Sequence, residues 1–303
     1  MSVIERAGQT IHTLPVNRKA RDAANSAAPQ PFDLDFERLK KHGFYHPGAR
    51  SSQLALELRA VKRRLLRRIG FLRSTGERQA FRAPGRQRNL ILVTSTRAGE
   101  GKTFNALNLA LSLAIEDQIE TLLVDADVPR PKVRTQFDLP PGPGLTDKIL
   151  DPSLDVSGLC RRARQAPLSV LGEGAIIERA TELFATDASQ RLWAALSSQT
   201  PDRLIIIDAP PVLATTESVI LAKYVDEIVF VVEANATPEP AVASAVDELL
   251  DINPNVSLML NRCLIGAGGA HYGSYEYYDR QDDGVEQISA PNRQARGVSN
   301  GAD

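Results

Sequence analysis

The sequence predicts an α/β protein built on a doubly wound, mainly parallel sheet, with disordered segments at both ends. Three observations carry that expectation. Short apolar runs alternate with stretches of helical periodicity, the pattern of strands covered on both faces by crossover helices. A glycine-rich phosphate-loop motif, "TRAGEGKT" at 96–103, lies between the first such run and the first apolar helix. Two later runs end on aspartate, "LLVDAD" and "LIIIDAPP", where strand ends of open parallel sheets meet their ligands.

Along the chain, residues 1–50 mix polar residues, Ala and Pro without sustained periodicity, and are expected to be disordered. Residues 51–87 open with an amphipathic helix, "SSQLALELRAVKRRLLRRIG". Ser51 or Ser52 supplies its cap, and Leu54, Leu58, Val61 and Leu65 form one apolar stripe. Residues 50–88 hold twelve Lys/Arg against two Glu, a local charge of +10 inside a chain whose net charge is −1. Such a segment suits a partner or an anionic surface. The domain proper is expected over 88–265. Its strands are "LILVTS" (90–95), "TLLVDAD" (121–127), "LSVL" (168–171), "RLIIID" (203–208), "EIVFVVEA" (227–234) and "VSLMLN" (256–261). Its helices are "TFNALNLALSLAIE" (103–116), "ASQRLWAALSSQ" (188–199) and a third over 238–251. Residues 266–303 form a Gly- and Tyr-rich tail, expected to be mobile.

The bulk properties exclude several classes. A near-neutral chain has no general attraction for nucleic acid. The first residues lack the apolar core of a signal peptide, and no run approaches the ~20 apolar residues of a membrane span, so a cytoplasmic protein is expected. Cys160 and Cys263 have no CxxC partner and read as free thiols. His42 and His46 have metal-like spacing, but Gly43 and Pro47 oppose the helix that would align them.

Within the phosphate loop, Gly101-Lys102-Thr103 is intact, and Thr96 stands where the pattern has its first glycine. Amides around Gly99 and Gly101 would face phosphate at the positive end of the next helix. Lys102 would neutralise β/γ charge, and the Thr103 hydroxyl would ligate Mg²⁺. Asp125, Asp127 and Asp208, at strand ends, should converge on the same nucleotide. No H-R-D or D-F-G set is present, so a eukaryote-like kinase is excluded. A GTPase would want N-K-x-D, and "NRCL" at 261–264 has only the Asn.

"LLVDADVPRP" and "LIIIDAPPV" resemble the second and third nucleotide motifs of the bacterial tyrosine kinases, relatives of the Min/Par-type ATPases. "GPGLTDKILD" (142–151) and "ATELFA" (180–185) resemble further stretches of that family, and "ELRAVKRRLL" (57–66) the N-terminal helix of its exosortase-associated exopolysaccharide branch. The resemblance implies a P-loop fold of the Min/Par-like class that uses ATP and Mg²⁺. It implies ATP contacts at Arg97, Ala98, Gly99, Glu100, Gly101, Lys102, Thr103, Phe104, Asn261 and Arg262. It also implies metal ligation by Thr103, Asp125 and Asp208, and catalysis by Lys102, Asp125, Asp127 and Asp208, with Asp125 as base. Three departures are visible: Ala98 stands where Pro is usual, Pro129 where Arg is usual, and the ring motif E-x-x-R-x-x-R survives only as Glu57, Ala60, Arg63. Glu57 has no basic neighbour in its own helix at three or four positions, so Arg59 and Arg63 of a neighbouring subunit are its expected partners in a homo-oligomer.

Four of the chain's six tyrosines, Tyr272, Tyr275, Tyr277 and Tyr278, lie within seven positions. By resemblance they are autophosphorylation sites. Extended, the eleven residues from Asn261 to Tyr272 span at most roughly 36–40 Å, enough to reach a neighbouring subunit's site. Each phosphate adds about −1.5 to −2 charge, so four are comparable to the basic segment's charge and suit an electrostatic switch of assembly. The family further implies regulation of exopolysaccharide chain length or export, with a membrane chain-length-determinant (co-polymerase) protein as partner. That partner would recruit the chain to the inner face of the membrane. The competing reading is a Min/Par-like ATPase switch with no kinase activity. Against it, Arg97 occupies the position where those relatives carry Lys.

Overall fold

The computed structural model describes residues 31–71, 88–199 and 202–263. The sheet has seven strands: β1 (Leu90–Ser95), β2 (Thr121–Asp125), β3 (Arg161–Arg162), β4 (Leu168–Leu171), β5 (Leu204–Asp208), β6 (Glu227–Glu233) and β7 (Val256–Asn261). Their order is β3-β4-β2-β5-β1-β6-β7, parallel except where the short β3 pairs antiparallel with β4 at one edge. β1, β2 and β5 are buried along their whole length, which explains why they read as continuous apolar runs rather than alternating ones.

Helices cover both faces. On one side lie α1 (Phe36–Lys41), α2 (Gln53–Arg68), α3 (Lys102–Ile115) and α4 (Val133–Gln136). Their apolar residues pack on Ile91, Val93, Ile206 and Val231. On the other side lie α5 (Leu145–Leu150), α6 (Val156–Leu159), α7 (Ala180–Phe184), α8 (Asp187–Gln199), α9 (Glu217–Ala222) and α10 (Glu239–Leu250). Leu145, Phe184, Trp193, Leu221 and Leu249 from these helices meet Leu92, Val124, Ile207 and Phe230. Alternate residues of each central strand thus serve opposite cores.

The segment 31–50, expected to be disordered, is folded where described. Phe32, Leu34, Leu39, Phe44 and Tyr45 are buried in the same core as α3. Their irregular spacing hides them from periodicity, because their order comes from tertiary packing. Phe32 forms a bridge with Ala163, and His42 caps α1 with its ring nitrogen on the Arg38 carbonyl, 2.8 Å away. In α2 the Ser52 hydroxyl accepts the Ala55 N–H at 3.2 Å, and Leu58 and Leu65 are buried. The buried set also includes Lys62, whose Nζ reaches Glu116 at 2.9 Å and Asp117 at 2.5 Å. Burial opposes ionisation of Glu116, but hydrogen bonds from Lys62 and Arg59 outweigh it and hold its carboxyl below the usual range.

That pairing corrects one expectation. Arg59 is engaged inside its own chain, with Glu116 and with the Arg50 carbonyl at 2.8 Å. Glu57 is exposed and accepts a hydrogen bond from Gln53 at 2.8 Å. Arg63 lies exposed on the same helix. The four clustered tyrosines fall outside the described residues.

Candidate nucleotide and phosphoryl-transfer site

β1 runs into the phosphate loop, and the loop into α3. Gly99 (φ +95°) and Gly101 (φ +96°) both adopt the left-handed conformation that side chains disfavour. At Gly101 a second constraint applies: an added Cβ would lie 2.1 Å from Asn261 Nδ2. Around Gly99 there is open space, and residues 97–99 are exposed, so the loop's outer surface is accessible to a ligand. With Gly101 as N-cap and no side-chain cap, the first amides of α3 are available to phosphate.

Glu100 braces the loop from inside. It is 2 % exposed; its Oε2 accepts the Arg97 N–H at 2.9 Å and its Oε1 the Thr237 hydroxyl at 2.5 Å. Its carbonyl accepts from Asn261 Nδ2 at 2.8 Å, so Asn261 touches the loop itself. Arg97 reaches the Ala236 carbonyl at 3.2 Å, and Arg262 pairs with Glu233 at 2.7 Å. Ala98 is exposed, Thr103 is half-buried, and the Phe104 ring packs on Phe44 with centroids 5.3 Å apart.

The three aspartates come together as expected. Asp125 and Asp208 are register partners at the ends of adjacent strands, and both are fully buried. Asp125 is held by backbone amides: Oδ2 accepts from Lys132 at 3.0 Å and Val133 at 2.9 Å, and Oδ1 from Asp127 at 3.2 Å. Asp127 pairs with Lys102, and both are buried. Neither oxygen of Asp208 meets hydrogen-bond geometry with any described residue. Burial raises the Asp125 carboxyl well above the ordinary range, and the charge of Asp208 raises it further. Burial likewise raises Asp208, while Lys102 and the nearby Thr103 hydroxyl pull it partway back. The loop after Asp208 is laced to β1: Ala209 N–H donates to Val93 O at 3.0 Å, and Val212 N–H to Ser95 O at 2.9 Å.

Sequence reasoning passed over a clamp on the far side of β4. Arg134, 8 % exposed, donates to Glu173 at 3.0 Å and to the carbonyls of Pro140, Gly142 and Pro143. Asp147 accepts from Gly144 at 2.9 Å and Ala175 at 3.0 Å. The "GPGLTDKILD" stretch is therefore bound to β4's exit by buried polar contacts. A lone arginine among prolines gave no sequence signal for this.

A glycine loop capping a helix beside β1, with carboxylates at the ends of β2 and β5, defines a P-loop nucleotide-binding protein. No family model matches the chain. The VpsO kinase domain is 32% identical, the alignment covering 59% of this chain and 86% of that one, with a TM-score of 0.54. The tyrosine-protein kinase YwqD of Bacillus subtilis is 29% identical over 207 residues, 68% of this chain and 84% of its own length. The kinase domain of the Escherichia coli tyrosine kinase ETK shares the fold, with a TM-score of 0.61 at 19% identity over 82% of this chain and 95% of that one. The chain belongs to the bacterial tyrosine kinases and is a protein-tyrosine kinase.

Proposed function

We propose that this kinase is an ATP- and Mg²⁺-dependent autokinase whose acceptors are Tyr272, Tyr275, Tyr277 and Tyr278. The observation that carries the nucleotide reading is Asp208, a buried carboxylate without a hydrogen-bonding partner, beside Lys102 and Thr103. An orphaned carboxylate at a strand end suits a cation. Among the described residues no cluster of three or more His, Cys, Asp or Glu is arranged to hold a metal. Mg²⁺ typically takes one or two carboxylates and completes its shell with phosphate and water. Thr103, Asp125 and Asp208 would hold it.

Bound Mg-ATP supplies the transferable phosphoryl group and neutralises the charge on it. The remaining work falls to the chain. The loop amides around Gly99 and Gly101 orient phosphate, and Lys102, held in place by Asp127, adds positive charge. A phenol has a pKa near 10 and needs its proton removed as it attacks. Asp125 is suited to accept it as the carboxylate, because three backbone amides fix its oxygens at the end of β2, and a bound cation would favour its ionised form. Arg97, Ala98, Glu100, Phe104, Asn261 and Arg262 complete the proposed ATP-contacting set. Glu100 and Asn261 bond to the loop itself, which favours a role in shaping it over touching the nucleotide.

The wider role follows the sequence resemblance: regulation of exopolysaccharide chain length or export, as a homo-oligomer, with a membrane co-polymerase as partner and activator. Among the described residues no helix is long and apolar enough to cross a membrane. The test is mass spectrometry of the full chain after incubation with Mg-ATP, with and without that partner, for wild type and a variant with all four tyrosines changed to Phe. Phosphotyrosine in wild type that disappears in the variant, with ATP binding retained, is the expected result. An unmodified tail in every condition would favour an ATPase switch instead.

A further inference from the structure

Residues 32–45 lie outside the central sheet, yet they touch the elements that follow both halves of the site. One end is anchored at the sheet edge: Phe32 N–H donates to Arg162 O at 2.9 Å, and Leu34 N–H to Gln165 Oε1 at 2.9 Å. From there the Phe32 ring packs on Phe137, centroids 5.8 Å apart. Arg38 donates to the Thr135 carbonyl at 2.8 Å and pairs with Asp138 at 3.4 Å. These contacts fall on α4 and its C-terminus. α4 starts at Val133, and the Val133 and Lys132 amides are the ones that hold Asp125. A four-residue helix cannot maintain its own position, so whatever packs on it sets where those amides point.

The other end meets α3. The Phe44 ring lies on Phe104, one residue beyond Thr103. Tyr45 N–H donates to Asn108 Oδ1 at 2.7 Å, and Asn108 Nδ2 donates in turn to the Phe104 carbonyl at 2.9 Å. Asn108 and Tyr45 are fully buried, so that chain of bonds is shielded from water.

We propose that residues 32–45 are a strap that fixes the phosphate-loop helix and the Asp125 loop against each other, with Phe44 and Arg38 as its positioning residues. The inference rests on the nucleotide site described above. Simple stabilisation would need only buried apolar area anywhere on the core. Beyond its anchor on residues 162–165, the strap makes its ring contacts and its remaining polar contacts on the two elements directly downstream of the motifs.

The test uses the full chain and two readouts, the affinity for a fluorescent ATP analogue with Mg²⁺ and the rate of tyrosine phosphorylation at saturating ATP. Phe44→Ala should weaken nucleotide binding roughly 5- to 20-fold, the range of couplings carried through packed contacts, and Phe44→Leu should recover most of it. Arg38→Ala should slow transfer several-fold with KM for ATP little changed. Leu154→Ala serves as control, since Leu154 is buried at 2 % exposure in the core on the opposite face. At a matched drop in melting temperature it should keep wild-type nucleotide affinity. Wild-type affinity in Phe44→Ala would overturn the strap, as would equal weakening in Leu154→Ala at the same melting temperature. An unchanged rate in Arg38→Ala would overturn its Asp125 half. A wild-type chain that bound no nucleotide would overturn the site reading and the strap together.

Discussion

Removing the charge of Asp208 should stabilise the nucleotide-free protein while abolishing its chemistry. In Asp208→Asn a buried carboxylate without hydrogen-bond partners is replaced by an amide of the same shape, beside the Asp125 carboxylate on the next strand. The substitution removes the repulsion between the two carboxylates. The attractions lost are to Lys102, to the nearby Thr103 hydroxyl and to Lys132; they offset burial only in part, and Lys102 already pairs with Asp127, so this loss is the smaller effect. An unsatisfied buried polar group costs about 1–3 kcal/mol, and more when charged. At about 2–4 °C per kcal/mol for a domain of this size, the melting temperature should rise by roughly 2–12 °C. Most substitutions destabilise by about 1 kcal/mol, so the sign alone is diagnostic. Asp125 and Asp208 both have folded pKa values raised above the unfolded range, chiefly by burial. Stability linked to them is full below the ordinary carboxylate pKa and is lost as pH rises through the raised folded values. The variant's advantage should therefore be small in acid and grow towards alkaline pH. Thermal melts across that range, with and without Mg-ATP, provide the assay. Wild type should gain stability from Mg-ATP, and the variant should gain little. A lower melting temperature for the variant without nucleotide, or an advantage independent of pH, would refute the reasoning.

Two further outcomes are expected. Gly101→Ala and Gly99→Ala impose similar backbone strain, since both residues have φ near +95°. Only at 101 does the new methyl collide with Asn261 Nδ2, so its stability loss in denaturant melts should exceed that at 99 by about 1 kcal/mol, the worth of the displaced hydrogen bond. Burial pushes the Cys160 thiol up to about 12 while Cys263 is exposed, so a thiol reagent at pH 8 should label Cys263 quickly in the native protein and Cys160 only after unfolding.

The parts of the molecule legible in its sequence are those with a local signature. β4 and β7 lie at the residues read from their apolar runs, and α3 starts within one residue of its expected position. The convergence of Asp125, Asp127 and Lys102 followed from the rule that parallel sheets bind ligands at strand ends. What escaped detection depends on partners far away in the chain. Phe32, Leu39 and Phe44 share no period, and packing in the core they share with α3 and the sheet edge explains their burial. Arg59 looked available because its partner, Glu116, is 57 residues away at the end of another helix. Glu100 read as one of several loop residues. Its bond to Thr237 depends on two loops meeting across the top of the sheet.

The register between β2 and β5 has a consequence for how such a site changes over evolutionary time. Asp125 and Asp208 face each other because Thr121 pairs with Leu204 and each later residue follows in step, so backbone hydrogen bonds act as the ruler that spaces the two acids. A single-residue insertion or deletion within either strand would turn one aspartate to the opposite face of the sheet. Changes in the loops beyond the strand ends would leave the spacing untouched. Lineages carrying this scaffold are thus free to rewrite the loops beyond the strand ends, while the strands that carry the acids can drift in side chain but not in length.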